Sequence, residues 1–325
     1  MKRWLSSLFG AAAALLAVSA HAQEASAPVS PSTATDAIEP QWRVRDDVEN
    51  DSMGPWKSDR DYTSGVRVTV DRQSPDGKGH WQASVGQNIY TPPLHVDPAQ
   101  PQRVNAAVAY ITLARIQSDM NHTQGVQATV GVTGPAAMGE EVQNGLHEAM
   151  GNPVRDWSQQ IDKGMVANVA YARSDVLAAG QIADSFPYRI ALNNEIGTGS
   201  MATYLRTGLL VQVGTHIDGD IPAITNSTPS PRLRFAESAV APQTSCSLFA
   251  AANMRVMADD WTIDDTPSST RSLRREIFVP EVAAGIQMTK SRVTGEIAVA
   301  YTGREYETQE QAQAVMRVGL SYRFG

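Results

Sequence analysis

Polar and apolar positions alternate along segments of about ten residues, and short polar stretches separate the segments. The last segment, AVMRVGLSYRF (314–324), is the clearest. Ala314, Met316, Val318, Leu320, Tyr322 and Phe324 share one side of an extended strand. Arg317, Gly319, Ser321 and Arg323 share the other. The same period returns at 62–71, where Val66, Val68 and Val70 alternate with Gly65, Arg67, Thr69 and Asp71, and again at 80–91 and 292–302. A half-buried soluble sheet also alternates, but its apolar face needs a covering layer. This chain has one convincing amphipathic helix to offer. The pattern therefore predicts an all-β fold, a transmembrane antiparallel β-barrel with one face to lipid and the other to a wet lumen.

Twelve strands are predicted, over 41–49, 62–73, 79–90, 105–117, 121–133, 163–174, 181–196, 201–214, 245–257, 275–288, 291–303 and 313–324. The number is even, as single-chain bacterial barrels require. A barrel of that size is expected to have its lumen filled by side chains and loops. With both termini periplasmic, connections after odd-numbered strands are extracellular, and the helix-bearing loop 134–162 is among them. The Pro-rich stretch 215–244 falls on the periplasmic side, and its length has no physical explanation in the pattern.

The first 22 residues have Lys2 and Arg3, an apolar run and Ala20-His21-Ala22, which predicts a cleaved secretory signal. Residues 23–40 read as a flexible Ala/Ser/Pro/Thr-rich leader, and 41–325 as a single barrel domain. The formal net charge is −7, and losing Lys2 and Arg3 takes it to about −9. That acidity argues against nucleic acid as a partner. Cys246, the sole cysteine, excludes an intrachain disulfide and a cysteine-based metal site.

Candidate chemistry gathers at the predicted extracellular rim. The loop after the first strand carries Glu49, Asn50, Asp51, Asp59, Asp61 and Thr63 within fifteen residues. Alternation turns Asp51 inward with Asp47 and Glu49, and Thr63 inward with Gly65 and Arg67. The plain reading of such a loop is solvation. The helix TGPAAMGEEVQNGLHEAMGNP (133–153) has Pro135 at a first helical position and ends at Gly151 and Pro153. It puts Gln143 and His147 on one face. The plain reading of His147 is a cation complementing the helix C-terminus.

Four blocks carry a family resemblance: ENDS (49–52), RDYTSGVRV (60–68), GQNIYTP (86–92) and GVTGPAAMGEEVQNGLHEAMG (131–151). In these the chain resembles the outer-membrane lipid A 3′-O-deacylases, the LpxR-like family. The resemblance implies a 12-stranded barrel with its active site between wall and loop helix. It also implies calcium-dependent hydrolysis of the 3′ acyloxyacyl group of lipid A. Onto this chain the family's functional residues fall as Asn50, Asp51, Thr63, Gln143 and His147. Two features depart from the family. The lysine expected in the loop after YTP is absent; Asp97 stands near its place, and Arg103 or His95 are the candidate substitutes. After the helix, Trp157 and Gln160 are kept, but the Glu that should follow is not.

No G-x-S-x-G elbow supports a serine nucleophile. His147 suits a general base, and Asp51 suits a calcium ligand. Asn50, Thr63 and Gln143 are left to complete the shell, bond the carbonyl or orient His147. The expected partners are lipid A or lipopolysaccharide as substrate, outer-membrane lipids, and the barrel-assembly machinery, which reads an aromatic end such as Phe324. The alternatives are a non-catalytic barrel, either a small channel or a structural protein, and an outer-membrane phospholipase.

Overall fold

The computed structural model describes residues 41–54, 60–74, 79–93, 101–119, 121–182, 186–215, 217, 244–266 and 273–324. The predicted signal and leader, Asp59, His95, Asp97 and nearly all of 215–244 lie outside the described residues.

Twelve antiparallel strands close into one barrel: β1 (Trp42–Asn50), β2 (Asp61–Gln73), β3 (Gly79–Thr91), β4 (Ala106–Ser118), β5 (His122–Thr133), β6 (Met165–Ile182), β7 (Phe186–Gly199), β8 (Ala202–Gly214), β9 (Thr244–Asp260), β10 (Phe278–Lys290), β11 (Val293–Thr302) and β12 (Gln313–Phe324). Each pairs with its sequence neighbours. The seam is β1 on β12, in register from Trp42↔Phe324 to Asn50↔Met316. Closure leaves no sheet edge, which is what a membrane without water to satisfy backbone groups demands. Helix α1 (Gly139–Met150) lies in the β5–β6 connection, and a short helix α2 (Trp261–Asp264) follows β9.

The period-2 pattern sorts the side chains as expected. On β12, Val318 and Leu320 are exposed on the outer face, while Arg317, Gly319 and Ser321 are buried toward the lumen. Charge fills the lumen. Arg206 Nε and Nη1 reach Glu281 at 2.8 Å and Glu195 at 2.6 Å. Glu305 takes Arg255 at 2.9 Å and Arg103 at 3.2 Å. A second set joins Arg45 to Asp47 at 2.8 Å and to Glu296 at 3.1 Å, with Arg317 also on Glu296. Buried charges are tolerated only when paired in this way. Near the odd-numbered rim, Tyr62, Tyr90 and Trp261 stack edge to face at 5.3 and 6.2 Å across the lumen.

The structure differs from the sequence expectation in three places. The strand predicted at 163–174 runs on to Ile182 and the one predicted at 181–196 starts only at Phe186, because β6 continues through DVLAAGQI by a bulge between Val176 and Ala178. Its Ala-Ala-Gly resembles a turn, but the extra residue is absorbed in the sheet. The predicted helix 133–153 is in fact a 3-10 turn at Gly134–Ala137, which takes Pro135, followed by α1 proper. Finally, α2 is too short to give a helical period. It is capped by Asp260, whose carboxylate accepts the Thr262 N–H at 2.9 Å.

Candidate active site

The rim residues fall into two groups. The first is built where β1 ends and β2 begins. Asn50 closes β1, paired with Met316 and Ser64. Its Oδ1 accepts the Ser52 N–H at 2.7 Å and also bonds the Ser52 hydroxyl, so the side chain holds the local turn. Asp51 is wholly buried; its Oδ2 accepts the Arg60 N–H at 2.8 Å. Its own N–H donates to the Thr63 carbonyl at 3.2 Å.

Alternation does not carry as far as Thr63. The β2–β3 register shifts between Tyr62 and Ser64. Tyr62 takes the inward position, with Oη donating to Glu49 at 2.6 Å. Thr63 is the extra residue of the bulge, and its hydroxyl meets that of Thr91 at 2.6 Å. A bulge re-aims a side chain in this way. Asp61 sits just before it with φ 58°, held by Tyr306 at 2.9 Å and Gln309 at 3.1 Å.

The second group lies on the outside of the wall. Asn88, Tyr90, Val108 and Tyr110 face the lumen, so the alternating Gln87, Ile89, Ala107 and Ala109 face outward. The chain before α1 packs on them: Ala137 is buried against Ile89, Ala107 and Trp157. Gln87 Nε2 donates to the Ala137 carbonyl at 2.6 Å. Gly139 permits the approach, since a Cβ there would stand 2.4 Å from Ala107 Cβ and 2.6 Å from Trp157 Cη2.

Gln143 is 3% exposed. Its Oε1 accepts the Trp157 indole N–H at 3.0 Å. Indole only donates, so that contact fixes the amide and leaves Nε2, which has no protein partner. His147 stands one turn further on. Its Nδ1 lies 2.6 Å from the Pro153 carbonyl. A carbonyl only accepts, so Nδ1 carries the hydrogen, and in the neutral ring Nε2 is the basic nitrogen. Gly151, at φ 72°, reverses the chain to bring Pro153 there, and the Asn152 N–H bonds the His147 carbonyl at 2.8 Å.

A relay of contacts joins the groups. Asn144 and Arg155 exchange hydrogen bonds at 3.0 and 2.7 Å. Arg155 Nη1 donates to the Pro92 carbonyl at 3.2 Å. Pro92 follows Thr91, the partner of Thr63. Asn144, Arg155 and Thr91 were not singled out in the sequence, although Thr91 and Asn144 lay inside recognised blocks. Arg103 does not replace the absent lysine. It is buried in the lumen on Glu305 and over the rings of Tyr90 and Tyr306 at 5.3 and 5.7 Å. Burial pulls its pKa down, but Glu305, Asp61 and Asp260 outweigh that and hold it above the usual arginine range.

A closed antiparallel barrel with an apolar exterior and a charge-filled lumen defines a bacterial outer-membrane β-barrel. The chain belongs to the family described as outer membrane protein LpxR, which it matches over residues 8–324. Among solved structures it is similar to LpxR from Salmonella typhimurium, with TM-score 0.75 and 18% identity, covering 86% of this chain and 99% of that one. It is also matched by the β domain of the Bordetella autotransporter BrkA, with TM-score 0.41 and 10% identity, over 88% of this chain and 99% of that one. No curated protein sequence matches the chain.

Proposed function

We propose that this protein is an ester hydrolase that removes the 3′-linked acyloxyacyl group of lipid A, with His147 as general base. The observation that carries the reading is the His147–Pro153 hydrogen bond of 2.6 Å, which leaves Nε2 to accept a proton on the helix row that also carries Gln143. Nε2 takes a proton from water as the water oxygen adds to the ester carbonyl carbon. The same proton then goes to the departing 3′ oxygen as the carbon–oxygen bond breaks. The unpartnered Gln143 Nε2–H is the donor suited to the carbonyl oxygen as it becomes negative.

Calcium fits the donor chemistry of the first group. Asp51 supplies a buried carboxylate, and the Thr63 and Thr91 hydroxyls add neutral oxygens. Among the described residues no cluster of three or more acidic, histidine or cysteine side chains supplements them, so ligation would lean on Asp51. A bound calcium ion would supply positive charge beside the ester carbonyl. Asn50 holds the turn that presents Asp51.

The test is mass spectrometry of lipid A from cells producing the wild type or His147→Asn. The wild type should convert lipid A to a species lacking the 3′ acyloxyacyl group. The variant should fold as a heat-modifiable barrel and lose on the order of 10²–10⁴-fold in rate. Unchanged lipid A with folded wild type overturns the activity. A folded His147→Asn at wild-type rate overturns the base. Release of a phospholipid acyl chain instead would favour a phospholipase.

A further inference from the structure

Helix α1 carries four rows at a spacing of four residues, and one of them, Glu141, Gly145 and Ala149, is exposed throughout. The middle row is Gly139, Gln143 and His147, running from the wall contact to the proposed base. On one side lie Glu140, Asn144 and Glu148. On the other lie Val142, Leu146 and Met150, within an arc of about 80°, preceded by Met138, the left-handed residue just before the helix. All four of these are exposed, Met138 at 56% and Leu146 at 53%. Val154, just past the helix, continues the row and is exposed too.

An apolar row of this length beside a polar row is the pattern of a helix lying in a membrane interface. Nothing in the protein covers it among the described residues. The row is continuous with a surface whose partner is known. The helix rests on the outer face of β3 and β4, and on that same face Ile111 and Leu113 are exposed at 55% and 58% as part of the lipid belt. Val126 and Val130 of β5 extend the belt to the strand that leads into the helix.

We infer that the Val142–Leu146–Met150 row of α1 is a lipid-contacting surface, set among acyl chains of the outer leaflet. The polar row then faces water, and the Gln143–His147 row lies at the boundary between the two. A lipid can therefore reach the Gln143–His147 row sideways, from the bilayer, without its acyl chains crossing water. The inference rests on the barrel and on this rim lying in the outer leaflet, not on the chemistry assigned to His147.

Nitroxide depth measurement tests it. In a Cys246→Ala background, single labels are placed at Leu146→Cys, Val142→Cys, Glu141→Cys and Leu113→Cys. The full chain is refolded in dimyristoylphosphatidylcholine vesicles and checked for heat-modifiable mobility. Labels at 142 and 146 should match the one at 113, open to oxygen and shielded from a water-soluble nickel chelate. The label at 141 should show the reverse. Having two row positions covers the case in which one variant fails to fold. Row labels as open to nickel as that at 141, in refolded protein, overturn the inference whether or not the protein is active.

Discussion

Replacing Gly139 by Ala should improve α1 and damage the site. In a helix interior that change is worth about 1 kcal/mol in favour of Ala, and Gly139, the first residue of α1, stands to gain less. Here the new Cβ would stand 2.4 Å from Ala107 Cβ and 2.6 Å from Trp157 Cη2. Non-bonded carbons rest at roughly 3.5–4.0 Å, so helix and wall must part by about 1 Å. Overpacking of this kind costs about 1–3 kcal/mol, which more than cancels the propensity gain. The consequence for chemistry is larger. Gln143 is held on Trp157, and His147 is one turn beyond it, so the shift reaches both. A displacement of about 1 Å can cost on the order of 10²-fold in rate. The assay is a time course of lipid A conversion by mass spectrometry, with heat-modifiable mobility showing that the barrel stands. Gly139→Ala should be folded and slow. Adding Ala107→Gly, which removes the nearer clash, should restore part of the rate. Full rate in Gly139→Ala alone would refute the close approach as the device that positions the site.

Three further outcomes are expected. Val318→Arg, on the outer face near mid-membrane, should cost roughly 2–4 kcal/mol of barrel stability, while Ser321→Asn, toward the lumen, should cost far less; urea titrations of refolded protein compare them. A calcium chelator should abolish deacylation, and Asp51→Ala should do so with calcium in excess; full activity in chelator would remove the ion from the chemistry. Trp157→Phe, which removes the indole N–H held by Gln143 Oε1 at 3.0 Å, should slow deacylation in a folded barrel, and an unchanged rate would count against that contact as the one that orients the amide.

Much of this was legible because a strand's period is two. Arg317 and Val318 declare opposite faces from sequence alone, and twelve such segments fix the barrel. Five site positions came from block resemblance, and the wall-and-helix arrangement came with them. What was not legible was set by tertiary contact. The bulge at Thr63 inserts a residue that no periodicity announces, and it undoes the simple inward assignment. Arg103 has the right charge in the right loop, yet three carboxylates draw it into the lumen. Arg155 lies in an irregular segment whose path is dictated by Asn144 and Pro92, contacts that spacing cannot foretell.

The seam between β1 and β12 has a consequence for timing. Asn50, which holds the turn presenting Asp51, lies between the second strand, where it is in register with Ser64, and the last, where it is in register with Met316. A chain still in transit through the periplasm has no β12 in place, so half the support of that turn is missing until the two ends of the polypeptide meet. Competence as a hydrolase would then arrive together with barrel closure, and the protein would need no inhibitor or removable segment to spare lipids it passes on the way.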